Sequence, residues 1–240
     1  METSLKDQVA IITGASSGIG LATARNLREA GMKLVLTARR RERLAAVAGE
    51  LGETGIVDGD MLDPELPARL VDAALARFGR CDVVFNNAGS IEVGQVGEID
   101  LDKMCQMVRV NVESAFRMAY VAMTHFKKAG RGHLINTSSI LGTKVRPTAG
   151  AYAGTKYAIE ALTEALRMEF AGTGVKVSCI EPGLVLTELH DHWKVHPRES
   201  MNIKNPLRPE DVARAIRFLL EQPAHVRIPR LMIMPGEHAM

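Results

Sequence analysis

Short runs of Val, Ile and Leu alternate along the chain with longer segments whose apolar residues recur every three or four positions. The first run, Gln8–Thr13, is rich in β-branched residues and is followed at once by glycines, which predicts a buried strand. The stretch GIGLATARNLREA has helical period and stops at Gly31, a residue suited to a helix C-terminal cap. The alternation then repeats. Strands are predicted over Lys33–Ala38, 55–60, 81–89 (running into a turn), 132–139, 175–183 and 230–235. Helices are predicted over 40–51, 64–79, 101–129 (long enough for a break), 151–171 and, after a long polar loop, 209–222.

Repeated β-α-β units imply parallel strands, because a parallel pair needs a crossover and the helices supply it. Right-handed crossovers then give an α/β fold, a Rossmann-like doubly wound parallel sheet with helices on both faces. No Ser/Pro-rich linker, short repeat or low-complexity tract interrupts residues 1–240, so one domain is expected, with a loop over about 187–209.

Composition sharpens this picture. Hydrophobic residues make up 46% of the chain, enough for a core without metals or disulfides, while aromatics at 4% leave the packing to aliphatic residues and Met. The three cysteines, Cys81, Cys105 and Cys179, show no ligand spacing, which predicts free, buried thiols in a reducing compartment. The polar start and the lack of a long apolar run lead to the expectation of a cytoplasmic protein with no membrane partner. A net charge of +2 and no basic stripe exclude a nucleic-acid-binding module; the run Arg39–Arg41 is local.

The first chemical signal is the turn after strand one, Thr13-Gly14-Ala15-Ser16-Ser17-Gly18-Ile19-Gly20. A helix N-terminus offers unpaired amides and a partial positive charge to a pyrophosphate, and glycines let the backbone approach it. The Gly-x-x-x-Gly-x-Gly spacing differs from the common dinucleotide fingerprint and lacks the lysine of a P-loop. A plain tight turn is the competing reading. Strand two ends Thr37-Ala38-Arg39-Arg40, with no carboxylate where NAD ribose hydroxyls would need one. A guanidinium there suits a 2′-phosphate. NADP(H) is therefore expected, with Arg39 as main contact and Arg40 as helper, against the alternative of solvated residues opening a helix.

The second signal is Tyr152-Ala153-Gly154-Thr155-Lys156, in the first turns of a predicted helix. Residues four apart share a helical face. An ammonium beside a phenol favours the phenolate, and so does an oxidised nicotinamide, so the pair suits proton exchange with a carbonyl or alcohol. Ser139 ends the strand thirteen residues earlier, where doubly wound sheets place their sites, and its hydroxyl suits a substrate oxygen; Ser138 and Ser139 as turn or cap residues are the alternative.

Six elements in order, TGASSGIG (13–20), NNAG (86–89), Asn111 of VNVES, TSS (137–139), YAGTK (152–156) and PGLVLT (182–187), resemble the short-chain dehydrogenase/reductase family over nearly the whole chain. The resemblance implies that Tyr152 is the acid/base, that Lys156 holds the nicotinamide ribose and depresses the Tyr152 pKa, and that Ser139 polarises the substrate carbonyl. It implies that Asn111 holds a water behind Lys156. It further implies that Gly14, Ser16, Ser17, Gly18, Ile19 and Gly20 line the pyrophosphate, Asp60 and Met61 the adenine, and Asn87, Ala88 and Gly89 the adenosine ribose. Pro182, Gly183, Val185 and Thr187 fall near the carboxamide. Many NADP-preferring relatives carry a basic residue where Ser17 stands, which leaves the phosphate to Arg39 and Arg40.

The same resemblance makes the loop over 187–209 a cover for a small carbonyl or alcohol substrate, with Trp193 as a pocket wall or a loop pin. His190, His192 and His196 in that loop are read as solvated, with no metal expected. Lys194, Arg198, Lys204 and Arg208 slightly outnumber Glu188, Asp191 and Glu199. Lys144 and Arg146 either reach a substrate carboxylate or are simply exposed. The chain end resembles relatives acting on small hydroxy acids and reductases of secondary metabolism. A homotetramer (or homodimer) is implied, through the helices near 101–129 and 151–171, where Ala158, Ile159, Ala161, Leu162, Ala165 and Leu166 suit more than one buried face. A 3-oxoacyl-thioester reductase and a non-catalytic NADP sensor are the alternatives to a carbonyl reductase or alcohol dehydrogenase.

Overall fold

The computed structural model describes residues 3–191, Trp193 and residues 195–238. His192 and Lys194 lie outside the described residues. In chain order the elements are β1 (Val9–Thr13), α1 (Gly18–Glu29), β2 (Lys33–Thr37), α2 (Arg41–Leu51), β3 (Thr54–Ile56), α3 (Leu66–Phe78), β4 (Val83–Asn86), α4 (Leu101–Val108), a π-helical turn (Arg109–Ser114) and α5 (Ala115–Ala129). They continue with β5 (Gly132–Thr137), α6 (Gly150–Glu169), β6 (Val175–Pro182), the short α7 (Pro197–Ser200), α8 (Pro209–Glu221) and β7 (Arg230–Ile233). The strands form one sheet of order β3-β2-β1-β4-β5-β6-β7, parallel throughout.

A parallel sheet needs cover on both faces, and β1 is buried at all five positions. Ile11, Val35, Val84 and Leu134 point to one face and pack against Leu70 of α3, Phe126 of α5 and Leu166 of α6. Ile12, Leu34, Phe85 and Ile180 point to the other and meet Leu27 of α1, Leu44 of α2 and Ile216 of α8. This is the doubly wound layering that the alternating sequence predicts. Buried polar side chains lock the central strands. Asn86 Nδ2 donates to the Ala115 carbonyl at 2.8 Å and to Asn136 Oδ1 at 3.0 Å, and Asn136 Nδ2 donates to Thr163 Oγ1 at 3.0 Å.

Two expectations change, and the anticipated helix break is located. The third strand is shorter than 55–60: the amides of Val57 and Gly59 still reach the carbonyls of Leu36 and Ala38, but the ladder ends at Ile56. The helical stretch 101–129 breaks at the π turn, whose buried Asn111 turns its amide away from solvent. Cys81 and Cys179 are free and buried, but Cys105 is exposed, because it lies on the outer face of α4. Among the described residues no helix is long and apolar enough to cross a membrane.

His133 on β5 couples stability to pH. Ser178 Oγ donates to the Ile228 carbonyl at 2.7 Å, so it accepts from His133 Nε2 at 2.9 Å, and that nitrogen carries a proton. Burial, then the nearby Lys176 and Arg227 charges, push its pKa down from 6.5 to about 3. The lowered pKa contributes stability that is complete above about pH 6.5 and is lost as pH falls toward about 3. Thermal unfolding followed by circular dichroism is expected to show a shallower acid loss in His133→Gln than in the parent chain. Equal slopes would leave the carboxylates to set the acid limit alone.

Candidate active site

The site grows from the switch point of the sheet, where β1 has β2 on one side and β4 on the other. Between β1 and α1 the chain turns through Gly14 and Gly18, whose φ angles of +69° and +53° are left-handed. A side chain on Gly20 would lie 2.3 Å from the Gly14 carbonyl oxygen, so the turn closes only with glycine there. Thr13 Oγ1 ties this turn to the loop after β4, accepting from the amides of Asn87 at 2.8 Å and Ala88 at 2.9 Å. Ser17, the residue before α1, makes no side-chain cap, so the amides opening this helix lack a side-chain acceptor.

From this turn runs a cavity of about 720 Å³. Arg39, Arg40, Asp60 and Met61 line one end, and Gly14, Ser16, Ser17, Gly18 and Ile19 line its floor with Asn87, Ala88 and Gly89. Ser139, Tyr152 and Lys156 line the other end with Pro182, Gly183, Val185 and Thr187. Thus nearly every residue singled out in the sequence meets at one cavity. Gly20 and Asn111 stand behind its wall. Gly20 gives the turn its closeness. Asn111 Oδ1 accepts from the Ser90 amide at 2.8 Å, and Nδ2 donates to the Ser90 carbonyl at 2.9 Å and to Thr155 Oγ1 at 3.2 Å. It therefore braces the loop after β4 against α6.

The two arginines differ in their contacts. Arg40 donates to Ser16 Oγ at 3.2 Å and Ser17 Oγ at 3.1 Å, and pairs with Glu188 at 3.0 Å. Arg43 holds the same carboxylate at 2.8 Å. Arg39 makes no side-chain hydrogen bond with any described residue. It is therefore Arg40 that reaches the glycine turn. Glu188, which the sequence marks only as one of the loop's acidic residues, keeps that guanidinium over the cavity.

At the other end, Tyr152 and Lys156 fall one turn apart on α6. Lys156 Nζ donates to the Thr137 carbonyl at 2.9 Å and lies 5.7 Å from the centre of the Tyr152 ring. Ser139 Oγ accepts from the Leu141 amide at 3.1 Å, capping a short 3-10 turn. It also bonds to the Tyr152 hydroxyl. The capping and the site-facing readings of Ser139 coexist. The proton affinities run opposite to the sequence expectation. Burial pushes the Tyr152 phenol up to about 12, opposed by the Ser139 hydrogen bond and the Arg146 charge. Burial likewise pushes Lys156 down to about 8, opposed by Cys179 and Glu160. Dehydration outweighs the Ser139 hydrogen bond and the Arg146 charge when the apolar residues Ile91, Met107, Ile140 and Leu141 surround the phenol.

Glu160 was not anticipated. It lies one turn beyond Lys156, is buried, accepts from Cys179 Sγ at 3.4 Å and pairs with Arg230 at 3.2 Å. Its charge, after burial, helps push the neighbouring Glu181 up to about 7. A glutamate on the otherwise apolar face of a helix was the signal available for it.

The substrate side is mostly apolar, lined by Met107, Leu141, Leu189 and Trp193, with Lys103, Arg146, His190 and His238 as its basic members. His190, Trp193 and His196 stack edge to face at 5.2 and 5.7 Å, which organises the start of the loop over 187–209. Among the described residues no group of three or more His, Cys, Asp or Glu is placed to hold a metal.

A doubly wound sheet with a glycine turn at its switch point, a Ser after a central strand and a Tyr and Lys on the helix that follows is the architecture of a dinucleotide-dependent oxidoreductase. Comparisons with known proteins narrow this class. The family model of the short chain dehydrogenases matches residues 8–197. An uncharacterized oxidoreductase of Staphylococcus saprophyticus is 35% identical over 243 residues, covering 98% of this chain and 99% of that protein. The closed form of a serine dehydrogenase complexed with NADP+ superposes with a TM-score of 0.91 at 27% identity, covering 97% of both chains. A 3-ketoacyl-(acyl-carrier-protein) reductase from Brucella melitensis complexed with NADH gives 0.88 at 29% identity, covering 98% of this chain and 99% of that one. The chain belongs to the short-chain dehydrogenase family of oxidoreductases.

Proposed function

We propose that this chain is an NADP(H)-dependent carbonyl reductase or alcohol dehydrogenase acting on a small substrate. One observation carries the reading: Ser139, Tyr152 and Lys156 face a cavity whose far end holds the glycine turn and two arginines. The uncapped start of α1 and the left-handed glycines fit a pyrophosphate, and Arg39 and Arg40 fit a 2′-phosphate. The nicotinamide, when bound, supplies or accepts the hydride, and its oxidised form adds positive charge beside the phenol. Ser139 holds the substrate oxygen. Tyr152 gives that oxygen a proton in reduction and takes it back in oxidation. Lys156 holds the ribose and favours proton release from Tyr152. Asn111, by bracing Ser90 and Thr155, positions the water that refills the proton path behind Lys156.

The loop over 187–209 covers the substrate, with Trp193 as a wall. Homotetramer (or homodimer) formation is part of the same proposal. Helix α6 buries Ile159, Leu162 and Leu166, while Tyr157 and Met168 stay 44% and 63% exposed and Tyr120 of α5 57%. An apolar face of this kind supports a partner copy.

The enzymatic reading is tested by NADPH consumption against oxo acids, oxoacyl thioesters, cyclic ketones and aldehydes. The likeness to a 3-ketoacyl-(acyl-carrier-protein) reductase favours the thioesters as the second reading. For the cofactor, the Arg39→Ala, Arg40→Ala double variant is expected to lower the NADPH-over-NADH preference in Kd by about 10-fold or more, measured by fluorescence titration. An equal loss for both cofactors would remove the phosphate role.

A further inference from the structure

Of the basic side chains lining the cavity beyond Tyr152, Lys103 pairs with Asp100 and His190 stacks on Trp193, which leaves Arg146 and His238 without a task in hydride transfer. Arg146, in the loop between Ser139 and α6, is half-buried, and its side chain makes no hydrogen bond or ion pair with any described residue. His238 lies in the segment that folds back after β7. It is 8% exposed, and neither ring nitrogen has a hydrogen-bond partner among the described residues. Its position is built. The Glu237 carboxylate accepts from the Asn205 amide at 3.1 Å and from Asn205 Nδ2 at 3.0 Å, and also from the Lys204 amide, pinning the segment to the loop before α8. Gly183 leaves the ring its room, since a side chain there would come within 3.0 Å of His238 Nδ1. Burial, and after it the Arg146 charge, lowers the pKa of His238, and the same charge opposes the rise at Tyr152.

A buried imidazole with two idle nitrogens costs free energy unless something fills them. A free guanidinium fork beside it presents the donor set that suits a planar oxyanion. The cavity's own carboxylates do not fill the role. Glu188 is held by Arg40 and Arg43, Glu92 is engaged, and Asp60 lies at the opposite end. Between this basic pair and the Ser139–Tyr152 wall, Leu141, Met107 and Trp193 supply apolar surface for a short carbon chain.

We propose that Arg146 and His238 form an anion subsite that holds a carboxylate of the substrate, so that this chain acts on oxo acids and hydroxy acids in preference to neutral ketones and alcohols. The proposal rests on the cavity being the hydride-transfer site. It places the thioester reading second, because a thioester has no free carboxylate for the subsite.

The test is calorimetric titration of the full chain, with and without saturating NADP+, using butyrate and valerate against butyramide and valeramide. These probes match in shape and differ in charge. Each carboxylate is expected to bind about 10-fold or more tighter than its amide, and that ratio is expected to fall toward unity in Arg146→Gln and in His238→Gln. Circular dichroism and thermal unfolding check that both variants fold, and Arg146→Lys is expected to retain part of the preference. Equal binding of acid and amide, or a preference that survives in both variants, would overturn the subsite. Turnover of acetoacetate against acetoacetamide separates the two claims. Carboxylates that bind selectively without any oxo acid being reduced leave the subsite standing and sink the hydride-transfer reading. Reduction of neutral ketones without carboxylate preference does the reverse.

Discussion

Replacing Tyr152 with Phe is expected to lower NADPH-dependent carbonyl reduction by about 10²- to 10⁴-fold, the range a positioned general acid contributes. The substitution removes one oxygen. Tyr152 is 8% exposed and packs with Ile91, Met107, Ile140 and Leu141, where a Phe ring fits without leaving a void. The fold and the NADPH Kd are therefore expected to hold within about threefold, as substitutions that leave packing intact do. With its phenol pushed up to about 12, Tyr152 keeps its proton at neutral pH, which is the form that reduction consumes. Steady-state rates with matched cofactor titrations check this. Full turnover in the variant would move the proton to another group.

Lys156→Met is expected to cost about 10²- to 10³-fold in kcat/KM, comparable to removing a preorganised electrostatic group. Methionine keeps much of the length of the stem, while the ammonium and its bond to the Thr137 carbonyl are lost. The sign of the pH dependence follows from the lysine. Burial holds its pKa at about 8, so the charge is present below that value and is lost as pH rises through it. Reduction by the parent chain is therefore expected to decline as pH rises through about 8, and the Lys156→Met profile to be flat there. The same break in both profiles would assign it elsewhere.

Much of the fold was legible because buried strands of a parallel sheet read as continuous apolar runs. Val9–Thr13 and Lys33–Thr37 stand out for that reason. The end of β3 did not, since Val57 and Gly59 keep bonding to β2 after the ladder has stopped. The site was legible where chemistry sits on a fixed local spacing, as in Tyr152 and Lys156 on one helical turn or the glycines around Gly18. It was hidden where chemistry depends on distant chain segments. The contact of His238 with Gly183 and the clasp of Glu188 on Arg40 join segments far apart in sequence, and no local pattern marks them. Proton affinities were misjudged for a related reason. The lysine four residues from Tyr152 is visible in the sequence, but the burial that raises the phenol comes from α4 and from the turn after β5.

The proposed function rests on hydride transfer from the nicotinamide to a carbonyl carbon. It is tested most directly with NADPH deuterated at the hydride-donating carbon of its ring, supplied with a panel of oxo acids, thioesters and ketones and followed by mass spectrometry. One deuterium is expected on the new carbinol carbon of a reduced product, formed by the parent chain and abolished or nearly so in Tyr152→Phe. NADPH that binds tightly while no deuterium reaches any carbonyl of the panel would contradict it and make the chain a cofactor sensor.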